Sequence, residues 1–232
     1  MYFMPKLQAA TLVVSILLLL ISSSVTWAIN DLSLYERSFD KYKVSETSGI
    51  EKSELLAVSK GIQKYFNSTD KSLNIEATVN DQKRHLFGIK EIAHMKDVKR
   101  LVQGNYIIQV LSAVAVLSIF ISAKLSFSSG TIQFICKYAM WGGIATIILV
   151  TTIGLAALIT FDQLFLAFHR ISFTNDFWRL DSSKDYLVII FPQGFWKDAT
   201  IFVATLIISS ASILSIISGT YLWFLKRSSN LT

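Results

Sequence analysis

The sequence predicts an all-α integral membrane protein: four transmembrane helices with a small extracytoplasmic cap that is mostly helical, with room for one short strand pair. Three observations carry that prediction. First, charged residues make up 16% of the 232 and hydrophobic ones 52%, with a mean hydropathy of +0.49; soluble domains carry about a quarter charged residues. Second, four stretches are long and apolar enough to cross a bilayer, which takes about 20 residues of helix. Third, the charges are distributed by side. Every one of the 16 acidic residues falls in residues 30–105 or 162–198. These values speak against a soluble enzyme, a disordered chain and a disulfide-stapled secreted domain. The single cysteine, Cys136, has no internal partner, and no paired Cys or Cys/His zinc spacing occurs.

The spans are residues 7–29, 106–127, 138–161 and 199–225, and the only charge inside them is Lys124 near the end of the second, where its stem can snorkel to the interface. The first resembles a signal peptide in its flanking Lys6 and its Thr26-Trp27-Ala28, but its apolar run is long and three more spans follow, so it reads as a retained helix. The remaining segments hold Lys6, Lys124, Lys137, Lys226 and Arg227 and no acid, whereas the loop 30–105 nets +2 and the loop 162–198 nets −1. The positive-inside rule then places both termini, the turn 128–137 and the tail 226–232 in the cytoplasm, and both large loops outside. The net charge of +6 marks topology rather than a nucleic-acid surface, so no nucleic-acid partner is expected.

Within the first loop, Ser48-Gly49-Ile50-Glu51 has the pattern of a capping box ahead of Leu55, Val58, Ile62, Tyr65 and Phe66 at helical spacing. Leu73, Ile75, Ala77 and Val79 alternate with polar residues, predicting a strand over 72–79. A second helix is expected over 89–102, begun near Gly88 and stopped at Gly104. The second loop differs in kind: residues 161–196 hold ten of the 29 aromatics. Phe161, Phe165 and Phe168 share a helix face, so the third span is expected to continue to about His169. An apolar-walled, polar-floored pocket at the membrane surface is the expectation, beyond the ordinary interfacial belt of aromatic residues.

Sequence signatures of serine hydrolases, zinc proteases, dinucleotide binding and P-loops are all absent. What remains is histidine: His85, His94 and His169, all outside the spans. Glu91, His94 and Asp97 are each three apart and form one stripe on a helix, so Asp97 or Glu91 is expected to orient His94 and raise its basicity. Equally, a Glu-x-x-His is ordinary decoration of a helix surface. His85 reads as structural or solvated, and His169 as either a reacting group or an interfacial anchor. A single zinc held by Glu91, His94 and His169 would make the protein a metal-dependent membrane hydrolase. A non-catalytic membrane sensor or partner-binding protein would use the cap for docking instead.

Two blocks of residues carry a resemblance. One is Leu86-Phe87, Glu91 and His94-Met95-x-Asp97-Val98-Lys99. The other runs Phe161-Asp162, Phe165, Phe168-His169-x-x-Ser172-Phe173, Asn175-Asp176-x-Trp178-x-Leu180-Asp181, and ends in Phe191-Pro192-x-x-Phe195-Trp196-x-Asp198. Together they resemble the bacterial lipoprotein intramolecular transacylase (Lit) family of four-span membrane proteins, departing at Ser182 and Gln193, where the family more often has a proline and an acid. The resemblance implies an acyltransferase of the bacterial cell membrane acting at its extracytoplasmic face on diacylglyceryl-modified lipoproteins, in contact with membrane lipid. It would move the sn-2 acyl chain of the glyceryl group to the α-amine of the N-terminal cysteine, leaving the lyso-form N-acyl S-monoacylglyceryl lipoprotein, with no cofactor and no metal. His94 and His169 would carry the transfer; His94 is assigned as base and His169 as acid or oxyanion donor, though the sequence does not fix which is which. Arg170 or Asn175 would stabilise the oxyanion, and Asp162 and Asp176 would join the polar floor. Phe161, Phe165, Phe168, Phe173, Trp178, Phe195 and Trp196 would wall the pocket.

Overall fold

The computed structural model describes residues 3–127 and 130–229; Ser128 and Ser129 of the expected turn and the last three residues of the expected tail lie outside the described residues. The elements in chain order are α1 (Phe3–Asn30), α2 (Leu32–Lys41), α3 (Val44–Ser48), α4 (Lys52–Phe66), β1 (Glu76–Val79), β2 (Gln82–His85), α5 (Ile89–Phe127), α6 (Thr131–Ser172), α7 (Tyr186–Ile190) and α8 (Gln193–Ser229). Among the described residues four helices are long and apolar enough to cross a membrane. The chain divides into two compact units. One takes α1 to Val25, residues Asn105–Leu155, and α8 from Val203; the other takes Thr26–Gly104 and Ala156–Phe202.

In the first unit apolar side chains that face outward have lipid as their natural solvent, and Ile216 and Ile217 are about two-thirds exposed. Helices in lipid gain nothing from burying leucine, so close packing and hydrogen bonds hold them together. Leu12, Ile16, Ile119 and Ala139 form the buried centre, joined by Phe134, Tyr138 and Leu214. Small residues set the spacing: a Cβ at Gly143 would stand 2.8 Å from the Ala211 carbonyl oxygen and would collide with the Ser215 hydroxyl. Gln109 Nε2 donates to Ser23 Oγ (3.2 Å) and Asn105 Nδ2 to the Ser22 carbonyl (3.1 Å).

The second unit holds the cap, and here the structure corrects several expectations. α2 and α3 occupy a stretch that the sequence reading left unassigned. Asp31 caps α2 by accepting from Ser33 N–H, and Leu34, Tyr35, Ser38 and Phe39 fall at helical spacing onto its buried face, but the surrounding charges hide that pattern. The capping box does not form. Ser48 ends α3, where its hydroxyl donates back to the Val44 carbonyl (2.6 Å), and Glu51 itself is the N-cap of α4. Gly49 decides this: its φ of +68° terminates α3, in a backbone region that glycine reaches without strain, and a Cβ there would strike the Asn80 side chain. The predicted strand shortens to β1 and gains an antiparallel partner, β2. Asn80 and Asp81, both at positive φ, make the two-residue turn that such hairpins use.

Gly104 does not stop the second cap helix. α5 runs on without a break from Ile89 through the second span to Phe127, because one glycine costs only about 1 kcal/mol in a helix and an apolar run follows at once. α6 extends past residue 161 to Ser172, with a single non-helical residue at Thr160. α8 begins at Gln193, so Phe195 and Trp196 lie in a helical first turn and not in a loop.

The glycine packing gives a test. Gly143→Ala is expected to lower thermal stability in detergent by about 1–3 kcal/mol through overpacking. Gly154→Ala, with nothing within 4 Å of the added carbon, should leave it unchanged or raise it by up to about 1 kcal/mol.

Candidate active site

His94 and His169 come together although 75 residues separate them in the chain. Both are buried, and their ring centres are 6.0 Å apart at an interplanar angle of 30°. His94 sits in the second turn of α5 and His169 in the last turn of α6, both within the cap unit and beyond the apolar stretches 106–127 and 138–161. The aromatic residues form the enclosure. Phe173 stands edge-on to His94 at 5.1 Å and lies 5.6 Å from His169. Phe165 (4.3 Å), Trp178 (5.1 Å) and Phe168 (5.4 Å) surround His169 further. Phe161 contacts Phe165, which leads on to Trp196. Phe195 turns away from the histidines and packs on Tyr35 of α2 and on Phe191, so it supports the enclosure from behind.

The two imidazoles differ in their hydrogen bonds. A carbonyl oxygen only accepts, so the 2.7 Å contact of His169 Nδ1 with the Phe165 carbonyl places a proton on Nδ1. In the neutral ring Nε2 then carries the lone pair. His94 Nδ1 is buried with no hydrogen-bond partner among the described residues. Burial lowers both pKa values by penalising the cation. That of His94 falls to about 4, with the neighbouring His169 adding to the shift, and that of His169 is lowered by the same desolvation, against which the Phe165 carbonyl favours its cation. At neutral pH both rings are uncharged.

The predicted supporting residues take other positions than the spacing suggested. Glu91 does not reach the His94 ring. One of its oxygens accepts from Gly88 N–H (2.6 Å), closing the N-terminus of α5, and the other accepts from Leu187 N–H (2.7 Å) at the start of α7. Burial raises its pKa even so. Asp97 accepts from Arg100 (2.9 Å) through one oxygen and from Asn175 Nδ2 (2.8 Å) through the other. Asn175 in turn accepts from Phe177 N–H, so neither end of its amide is idle. Lys90 Nζ donates to the Arg179 carbonyl. Three residues of α5 thus strap residues 175–187 to the helix that carries His94. Asp162 accepts from Gln193 (2.7 Å), the position where the sequence departs from the family pattern. Arg170 is exposed, and Asp176 pairs with Arg179 at the surface. His85 lies on β2, exposed, beside Asn74 and Glu76, which agrees with a solvated role. Among the described residues no three His, Cys, Asp or Glu side chains are grouped to hold a metal ion.

The family model described as lipoprotein intramolecular transacylase Lit matches residues 10–196. The chain belongs to the Lit family. It is therefore an acyltransferase, and with its four long apolar helices a multi-pass membrane protein. An uncharacterized protein of Aquifex aeolicus (strain VF5) is 25% identical over 201 residues, spanning 83% of this chain and 87% of its own length. The in meso structure of the membrane integral lipoprotein intramolecular transacylase Lit from Bacillus cereus superposes with a TM-score of 0.81 over 100% of both chains at 19% identity. A structure of the same protein with a histidine replaced by alanine gives 0.78 over 97% and 96% at 19% identity. These likenesses show that the fold is shared. In this Lit-family chain the two histidines named from sequence are side by side. The sequence marked Gly88 only as a helix start and Gln193 only as a departure from the family pattern, and did not point to Leu187; their contacts come from backbone or amide groups that leave no signature.

Two outcomes follow for stability. Glu91→Gln keeps the volume but sets an NH2 against a backbone donor, and should cost about 2–3 kcal/mol in thermal unfolding, whereas Asp176→Asn at the surface should change it by less than about 0.5 kcal/mol. His94 has a folded pKa of about 4 against 6.5 when unfolded, so the unfolded chain takes up its proton first as pH falls. Its contribution is complete above pH 6.5 and is lost progressively towards pH 4, by about 3 kcal/mol in all. Unfolding followed at pH 7.5, 5.5 and 4 should show that slope, and His94→Asn should flatten it.

Proposed function

We propose that the protein moves the sn-2 acyl chain of a diacylglyceryl-modified lipoprotein from the glyceryl oxygen to the α-amine of the N-terminal cysteine, at the outer face of the bacterial membrane with both chain termini in the cytoplasm. The observation that carries this is the pair of buried, uncharged imidazoles 6.0 Å apart inside an aromatic enclosure, in a chain of the Lit family. Donor ester and acceptor amine belong to one molecule, so no enzyme nucleophile is called for. Ester-to-amide transfer is also downhill and needs no energy source.

The hydrogen bonds favour the opposite order of roles from the one expected from sequence. His169 has its Nδ1 proton held by a carbonyl and its Nε2 lone pair available, which suits the base. An α-amine has a pKa near 8, so about a tenth is neutral at pH 7. As the amine nitrogen attacks the ester carbonyl, His169 Nε2 takes one of its protons. The tetrahedral oxyanion then collapses, the carbon–oxygen bond to the glyceryl group breaks, and that proton passes to the departing oxygen. The C–N bond made and the C–O bond broken balance with one proton moved from nitrogen to oxygen. For His94, an unpaired buried lone pair is tolerated better than an unpaired N–H, so the proton belongs on Nε2, where it donates to the developing oxyanion. Positioned acid–base help of this kind is worth about 10²–10⁴-fold. The enclosure adds orientation, since amine and ester must meet in a cyclic arrangement, and the ring faces of Phe165, Phe168 and Trp178 can hold the ammonium before it loses its proton.

The test is mass spectrometry of a synthetic diacylglyceryl-cysteinyl peptide incubated with the purified full chain. The expected product has the same mass with one acyl group now in amide linkage; recovery of the ester only would overturn the proposal. His169→Asn should lower the rate by at least about 10²-fold, and His94→Asn by about 10²–10³-fold as an oxyanion donor does. The rate should rise with pH through the amine titration near 8, with the imidazole inflections displaced below 6.5 because burial penalises both cations.

A further inference from the structure

Phe173 belongs to two places at once. Its ring meets both histidines, and it also lines a cavity of about 150 Å³ shared with residues of α5 and of the chain that follows His169. A single water needs about 10–15 Å³ of such space, so the cavity admits several waters, or one peptide unit with a small side chain, and not a long acyl chain.

The lining is polar on the side of α5 and of residues 172–175. Among the described residues Asp97 is the only carboxylate on this wall, and each of its oxygens accepts a hydrogen bond, one from Arg100 and one from Asn175. The Asn175 oxygen accepts from Phe177 N–H. Asp97 and Asn175 are thus held by partners in and beside the wall, and what matters for a ligand is which donors remain. Arg100 has five N–H groups and contacts Asp97 through Nη1 alone, and Ser172 and Thr174 add two hydroxyls to the lining. Asp97 and Arg100 cancel in charge. The cavity next to the imidazole pair thus offers hydrogen-bond donors and little net charge.

Three kinds of group radiate from the reacting cysteine of a diacylglyceryl lipoprotein: the acyl-bearing glyceryl unit, the α-amine, and the peptide that begins at the cysteinyl carbonyl. An ammonium needs acceptors and an acyl chain needs apolar walls. A carbonyl oxygen is matched by the N–H groups of Arg100 that Asp97 does not take. We propose that this cavity is the subsite for the first peptide unit of the substrate, with Arg100 donating to the cysteinyl carbonyl oxygen and Thr174 assisting. Arg100 is then a specificity-determining residue that tells a lipidated peptide from an ordinary diacyl lipid, which has no such carbonyl beside its ester. The inference rests on the acyl-transfer reading for the identity of its ligand.

Direct binding separates the two. A fluorescent diacylglyceryl-cysteinyl tetrapeptide and its analogue with a thioamide at the cysteinyl carbonyl, whose sulfur is a weak acceptor, are titrated against the full chain in detergent. The native chain should bind the amide about tenfold more tightly than the thioamide, the scale of one hydrogen bond from a charged donor. Arg100→Ala should bind the amide more weakly and keep at most the roughly threefold difference that Thr174 supplies, Arg100→Lys should recover part of the rest, and Thr174→Val, of the same shape, should lose about threefold. Native affinity in Arg100→Ala, or a thioamide penalty undiminished in that variant, would overturn the subsite. Loss of binding in Arg100→Ala together with no acyl movement by the native chain would overturn the transfer and leave the subsite standing.

Discussion

The cap depends on a single buried carboxylate. Glu91 stands at the third position of α5 and reaches back to Gly88 N–H, as the acidic half of a capping box does, while its second oxygen takes the Leu187 N–H of α7. Two helix N-termini, each with positive dipole ends and unpaired donors, therefore converge on one negative group. Burial penalises that charge, and the two backbone donors are what make it tolerable. Replacing either contact leaves donors without acceptors in a dry place, which costs more than the bond itself gains. The consequence for the site is geometric. His94 is one helical turn beyond Glu91, so the same contact that starts α5 fixes the strand of chain that returns from His169 to α8.

The site's electrostatics follow from enclosure rather than from charged partners. Neither imidazole has a carboxylate hydrogen bond, in contrast to the expectation from the Glu91–His94–Asp97 stripe. Aromatic rings surround them instead, and the resulting desolvation keeps both rings neutral. A neutral imidazole is both donor and acceptor, so two of them supply a base and an acid without a fixed charge that would attract water. Tautomer control comes from a local contact, the i to i−4 bond between His169 and the Phe165 carbonyl. That contact requires α6 to remain helical to its last turn, well past its apolar stretch. The length of the helix and the chemistry of the ring are in this way one constraint.

The two units obey different packing rules. In the membrane part, Gly143 and Ser215 allow close approach because apolar surface has no water to escape from there. In the cap, Tyr35, Phe39, Leu55 and Ile62 are buried as in any water-soluble protein, and the hydrophobic effect does the work. Much of this was legible. The four spans follow from long apolar runs, and the extension of α6 to about His169, the helix carrying His94 and the helix of Leu55–Phe66 follow from side chains at helical spacing. What was missed is short or turns on backbone conformation: α2 and α3 behind a screen of charges, the Asn80-Asp81 turn, and the Gly49 stop that displaced the capping box. Gly104 misled because a local signal worth about 1 kcal/mol is outweighed by the continuation of a long helix.

By itself the sequence determined which residues are chemically able to act. Composition set the membrane, the sidedness of charge set an expected topology, the absence of nucleophile motifs left three histidines, and the family resemblance singled out His94 and His169. Only the tertiary structure decided what each residue does with its hydrogen bonds. Spacing on a helix shows which side chains share a face, but not which backbone donor from residue 175 or 187 will arrive to claim a carboxylate. Glu91 and Asp97 were read as partners of His94 because they are its neighbours in sequence. They serve Leu187 and Asn175 because folding brought those groups closer, and a buried backbone N–H without an acceptor costs more than a solvated one.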